Sequence, residues 1–123
     1  MDTSGSIDKQ RDCPVTATIA VIGGKWKPRV LWQLRTGPTR FGDLHRLVGA
    51  SEKMLSQTLR ALETVGVISR KVVPVGNVVT TEYSFTDYGR TLVPVLDAMG
   101  HWGLRHLRAP TQVANARRRP RPS

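Results

Sequence analysis

One thiol and three imidazoles are candidates for nucleophile, general base or metal ligand near neutral pH: Cys13, His45, His101 and His106. Their spacing builds no site. His101 and His106 stand five apart, whereas a spacing of four would put two ligands on one helical face. No nucleophile motif and no glycine-rich phosphate loop accompanies them, so no catalytic residue, metal site or cofactor is expected. A second group is better organised. Lys53, Ser56, Gln57, Arg60 and Thr64 recur on one side of a helical stretch, opposite Leu55, Leu59 and Leu62, at the helical advance of about 100° per residue. That polar side carries no acidic residue. The Gln57 amide matches adenine, Arg60 can serve guanine or phosphate, and Ser51, Lys53 and Ser56 near the helix start can hold backbone phosphates. Taken alone, such a face is most often a solvated surface; neighbouring elements decide between that and duplex DNA.

Those elements follow from local pattern. Cys13 precedes Pro14, a favoured first helical residue, and Thr16, Ile19, Ala20 and Ile22 continue at helical spacing until Gly23 and Gly24. A second helix starts near Lys25, tolerates Pro28 in its first turn, places Trp26, Val30, Leu31 and Leu34 on one face, and ends at Gly37 and Pro38. Phe41, Leu44, Leu47 and Val48 mark a short third helix closed by Gly49. Ser51 then caps a fourth, with Glu52 at the positive end of its dipole, Leu55, Leu59, Leu62 and Val65 at helical spacing, and Gly66 as its stop. Beyond Gly66 the residues Val67, Ile68, Val72 and Val73, then Val78, Val79 and Thr80 to Phe85, predict a hairpin, with Pro74, Gly76 and Asn77 between its strands. Thr86 and Asp87 cap a last helix bearing Leu92, Val95, Leu96, Met99 and Trp102, with a kink expected at Pro94. The expected fold class is mainly α with a small β-hairpin. Two short helices around a tight Gly49 and Ala50 turn, followed at once by a hairpin, describe a winged helix-turn-helix whose second helix enters the major groove.

Composition agrees. The 123 residues suit one domain, and 19 Lys and Arg against 9 Asp and Glu leave a net charge of +10, which favours an acidic partner. Residues 13–108 are expected to fold, whereas polar residues 1–12 and residues 109–123, with Arg117, Arg118, Arg119 and Arg121, bury too little apolar surface to order. A lone cysteine fits a reducing compartment, and neither a signal peptide nor an apolar run of membrane length is apparent, so a cytoplasmic location is expected. Arg40 and Lys71 flank the polar helix and are expected on phosphates, with Arg70 on the opposite strand face. The hairpin tip from Pro74 to Val79 holds no cation, so little minor-groove reading is expected there.

Five motifs occur in order: Cys13-Pro14-Val15, Ile22-Gly23-Gly24-Lys25-Trp26-Lys27, Arg40-Phe41-Gly42-Asp43-Leu44, Ser51-Glu52-Lys53-Met54-Leu55-Ser56-Gln57 and Glu82-Tyr83-Ser84. Together they resemble the HxlR-type transcriptional regulators, relatives of the MarR group, over residues 13 to 103. The resemblance implies a bacterial homodimeric regulator that dimerises through its first and last helices and reads a palindromic operator through residues 51–64, with repression the expected outcome. The stripe of Leu92, Val95, Leu96, Met99 and Trp102 exceeds what a domain this small needs for its own core, which independently marks it as a dimer face. One departure stands out, since many members carry arginine where this sequence has Thr80.

The resemblance also implies a sensor role for Cys13, whose thiol sits at a helix start near Lys9 and Arg11, with Asp12 opposing them. With no second cysteine, its products would be an adduct, a sulfenic acid, a mixed disulfide or a bridge to Cys13 of another subunit. Two alternatives remain at this level: control by a small noncovalent apolar effector in place of an electrophile, or a nonspecific architectural or protein-interaction module.

Overall fold

The computed structural model describes residues 13–109, so the expected N-terminal segment and the arginine tail lie outside the described residues. The described residues divide into two compact units, one ending at Arg90 and the other starting at Thr91. In the first, α1 (Pro14–Ile22) and α2 (Trp26–Leu34) lead to β1 (Thr39–Arg40), α3 (Phe41–Val48), α4 (Glu52–Val65), β2 (Ile68–Val75), β3 (Val78–Phe85) and a single turn, α5 (Asp87–Arg90). The second contains α6 (Val93–Leu107).

Side-chain periodicity explains the core of the first unit. Val30, Leu31 and Leu34 of α2, Leu44 and Val48 of α3, and Leu55, Leu59 and Leu62 of α4 are buried together with Ile68, Tyr83 and Phe85 of the sheet. Thr58 joins them, its hydroxyl satisfied by donating to the Met54 carbonyl at 2.8 Å. Val65, which shares the helical spacing of the α4 leucines, is exposed because it falls in the last turn. The α3–α4 and α4–β2 junctions are set by Gly49 and Gly66, at φ 86° and 89°, left-handed geometry that glycine enters without steric cost.

The sheet holds a strand that sequence pattern did not reveal. β1 pairs antiparallel with β3, giving the order β1-β3-β2 and making β3 central. The β2–β3 ladder is regular from Ile68↔Phe85 to Val75↔Val78, so Pro74 lies inside β2, opposite Val79, instead of in the loop. An edge strand tolerates a residue without an N–H. The hairpin closes on Gly76 and Asn77 alone, with Gly76 at φ 64°, as a turn with glycine at its first central position requires.

The end of the chain also differs from expectation. Thr86 caps α5, not a long helix: its hydroxyl donates to the Gly66 carbonyl at 2.6 Å and accepts from the Gly89 N–H at 2.9 Å. Pro94 stands in the first turn of α6 and is no mid-helix kink. Its ring would clash with the carbonyl four residues back, that of Arg90, which is where α5 ends. These elements form a winged helix-turn-helix: α3 and α4 are the two helices, and β2 and β3 the wing.

Candidate nucleic-acid interface

The outward side of α4 is built from its first residue. Ser51 adopts φ −64° and ψ 160°, and its Oγ accepts the Met54 N–H at 3.1 Å, closing the helix start. With Leu55, Leu59 and Leu62 committed to the core, Lys53, Gln57, Arg60 and Thr64 are exposed and Ser56 is half-buried on the other side. The side chains of Lys53, Gln57 and Arg60 make no hydrogen bond or ion pair among the described residues, so ammonium, amide and guanidinium are free for a partner. Thr64 is less free, since its hydroxyl donates to the Arg60 carbonyl at 2.9 Å. The Ser51 oxygen is spent as an acceptor, but its O–H remains a donor for phosphate.

The wing adds charge with an internal check. Arg40↔Glu82 and Lys71↔Glu82 are ladder pairs, so one carboxylate on the central strand stands between the two cations expected on phosphates. Both cations are exposed and Glu82 is half-buried. Arg70 lies on the other sheet face, opposite Tyr83. Burial pushes the Tyr83 phenol above its usual pKa, Glu63 adds to that, and Arg70 and Arg60 oppose it, which puts charges from both α4 and β2 around one ring. The wing tip is apolar and exposed at Val75, Val78 and Val79, with no cation from Pro74 to Val79.

Arg40, Asp43 and Arg46 line an open cleft of about 490 Å³ with Gln33, Thr39 and Glu82, a largely polar lining unlike an enclosure for an apolar effector. Arg46 donates to Asp43 at 3.3 Å across one helical turn.

In the second unit, Val95, Met99 and Trp102 are exposed along one stripe of α6, Leu92 is half-buried, and Leu96 is buried at 3%. The His106 ring stacks on Trp102 with centroids 5.0 Å apart, extending that stripe by a turn. Among the described residues no group of three or more His, Cys, Asp or Glu could hold a metal ion.

Cys13 is exposed at the N-cap of α1. No capping hydrogen bond closes on its sulfur, yet the Thr16 hydroxyl and the N–H groups of Thr16 and Val15 face it and hold the thiol below its ordinary pKa. Val15 and Ile19 of the same helix are exposed.

Two residues with a bearing on the interface escaped sequence reasoning. Glu82 was legible only as part of a motif, because its place between two cations depends on strand register. Arg29 donates through Nη1 to the Val48 carbonyl at 3.4 Å, tying α2 to the turn that launches α4. The basic run Lys25-Trp26-Lys27-Pro28-Arg29 was the available signal.

A family model described as HxlR-like helix-turn-helix matches residues 21–111. YkvN of Bacillus subtilis, an uncharacterized HTH-type transcriptional regulator, is 44% identical over 99 residues, covering 77% of this chain and 80% of its own. Among solved structures, the redox regulator HypR in its reduced form has a TM-score of 0.73 and 35% identity over 80% of this chain and 98% of its own. Its oxidized form has a TM-score of 0.69 and 38% identity, covering 76% and 96%. The reduced form of the transcriptional regulator YodB from B. subtilis has a TM-score of 0.63 and 29% identity, covering 73% and 89%.

Proposed function

Since the chain belongs to the HxlR-like helix-turn-helix family, whose relatives are transcriptional regulators, we propose that it is a cytoplasmic, non-enzymatic repressor that binds a palindromic operator as a homodimer. One observation carries this reading: the outward side of α4 exposes Lys53, Gln57 and Arg60, whose side chains are unpaired within the described residues, on a helix whose opposite side is locked into the core. Gln57, Ser56 and Arg60 read base edges in the major groove; Ser51, Lys53, Arg40 and Lys71 hold phosphates. The exposed stripes Val15 with Ile19 and Val95 with Met99 and Trp102 are the proposed dimer surfaces, supported by Leu92 and Leu96.

Selection of bound sequences from random duplex DNA tests this. The expected winner is a palindrome with half-sites about 34 Å apart, bound at least about 10³-fold more tightly than random DNA. A steep salt dependence without any preferred sequence would favour the architectural reading instead.

A second reading concerns the signal. The thiol of Cys13 is exposed and its pKa lowered, and HypR is a redox regulator by name. Oxidation or alkylation of Cys13 is the proposed release switch. Release from the selected operator by hypochlorite or quinone in wild type, and retention in Cys13→Ser, is the expected result; equal release in both removes Cys13 as the switch, and release in neither redirects the search to a noncovalent effector.

A further inference from the structure

Lys25 and Arg29 share one indole. The Lys25 Nζ lies 4.7 Å and the Arg29 guanidinium carbon 5.2 Å from the centre of the Trp26 ring, so two cations gather around one aromatic ring. Neither meets a carboxylate among the described residues, and both are exposed. Two positive charges around one ring favour an anion, and one with several oxygens can meet both. The pair is also placed by a definite contact: Arg29 Nη1 donates to the carbonyl of Val48, the last residue of α3. Three residues later Ser51 caps α4. The anchored guanidinium keeps further N–H donors in its planar fork, the geometry that suits phosphate oxygens.

We propose that Lys25, Trp26 and Arg29 form a second phosphate-binding edge, gripping the DNA backbone beside the groove that α4 enters. This rests on α4 being the recognition helix. Arg29 has a double part, binding phosphate and positioning the α3–α4 turn, whereas Lys25 makes no hydrogen bond among the described residues and acts through charge alone. Trp26 contacts both cations. Because the contact is with backbone and not bases, it strengthens binding to every sequence alike. Lys27 supplies the internal control: it carries the same charge in the same helix turn, but its Nζ is drawn to the Ala20 carbonyl at 3.4 Å.

The test compares wild type, Lys25→Gln, Arg29→Gln, Lys27→Gln and Gln57→Ala on the selected operator and on random duplex DNA across a salt series, with thermal melts confirming fold. Lys25→Gln is expected to weaken both DNAs by the same factor and to lower the slope of log affinity against log salt by about 1. Arg29→Gln lowers the slope likewise but weakens the operator more than random DNA, because the α3–α4 turn also loses its anchor, and Lys27→Gln changes the slope by less than half as much. A folded Lys25→Gln with wild-type affinity and slope overturns the edge, even if Gln57→Ala alters base preference as expected. Wild type that binds no duplex at all overturns the recognition reading of α4, and the edge with it.

Discussion

Lys71 stands directly opposite Glu82 in the β2–β3 ladder. Arg40 occupies the same position on the other side of Glu82, in β1, so a single carboxylate separates two cations across three strands. Opposite charges in facing positions attract, with about 0.2–1 kcal/mol per pair, and the same carboxylate repels any phosphate that approaches either cation. Glu82→Gln keeps the shape and removes the charge. It is expected to tighten binding to all duplex DNA and steepen the salt slope, by up to about 1. Fluorescence anisotropy titrations at several salt concentrations read this directly; weaker binding at every salt would mean that Glu82 organises the cations for phosphate and does not restrain them.

The two kinds of DNA contact separate by mutation. Gln57→Ala leaves α4 intact, since the side chain is exposed and unpaired. It should cost about 1–3 kcal/mol on the preferred base at one position of each half-site and little elsewhere. Arg40→Ala should instead weaken every sequence by a common factor. Competition titrations with single-base operator variants distinguish them, and a uniform loss for Gln57→Ala would remove its base-reading role.

Much of the fold is written locally. The serine cap at Ser51 and the left-handed glycines at Gly49 and Gly66 are punctuation that a sequence carries openly, and the helix-turn-helix follows from them. β1 carries no such mark. Two residues, Thr39 and Arg40, have no alternation to detect, and they become a strand only because Tyr83 and Glu82 come beside them. Pro74 misled for a related reason: proline argues against a strand until the strand is known to be an edge. The face of α4 was legible from helical period, but Glu82 and Arg29 act through register and through a contact between helices, relations that no single segment encodes.

Stability should hinge on the corner where α4 hands over to the sheet. The Thr86 hydroxyl serves the Gly66 carbonyl and the Gly89 N–H at once. Thr86→Val leaves both without their partner and is expected to cost about 1–2 kcal/mol in urea denaturation. Gly89→Ala should cost more. A Cβ there would lie 1.8 Å from the Val67 carbonyl oxygen, and because that atom belongs to the backbone the strain cannot be relieved by a rotamer change. Should Gly89→Ala melt like wild type, α5 does not pack where this geometry puts it.

The chemistry of Cys13 has a pH signature. Only the thiolate attacks an electrophile, so the alkylation rate rises with pH through the thiol pKa and then levels off. The Thr16 hydroxyl, foremost, and the N–H groups of Thr16 and Val15 favour the thiolate and lower that pKa. The plateau of folded wild type is therefore expected at lower pH than that of the urea-unfolded chain, which lacks these donors. Thr16→Val removes the hydroxyl and should move the folded profile back up in pH without abolishing it, since the backbone donors remain. Rates of iodoacetamide modification measured from pH 5 to pH 10 give all three curves. If folded and unfolded chains titrate together, the helix start lends Cys13 no special reactivity, and a release switch at this residue would have to depend on exposure alone.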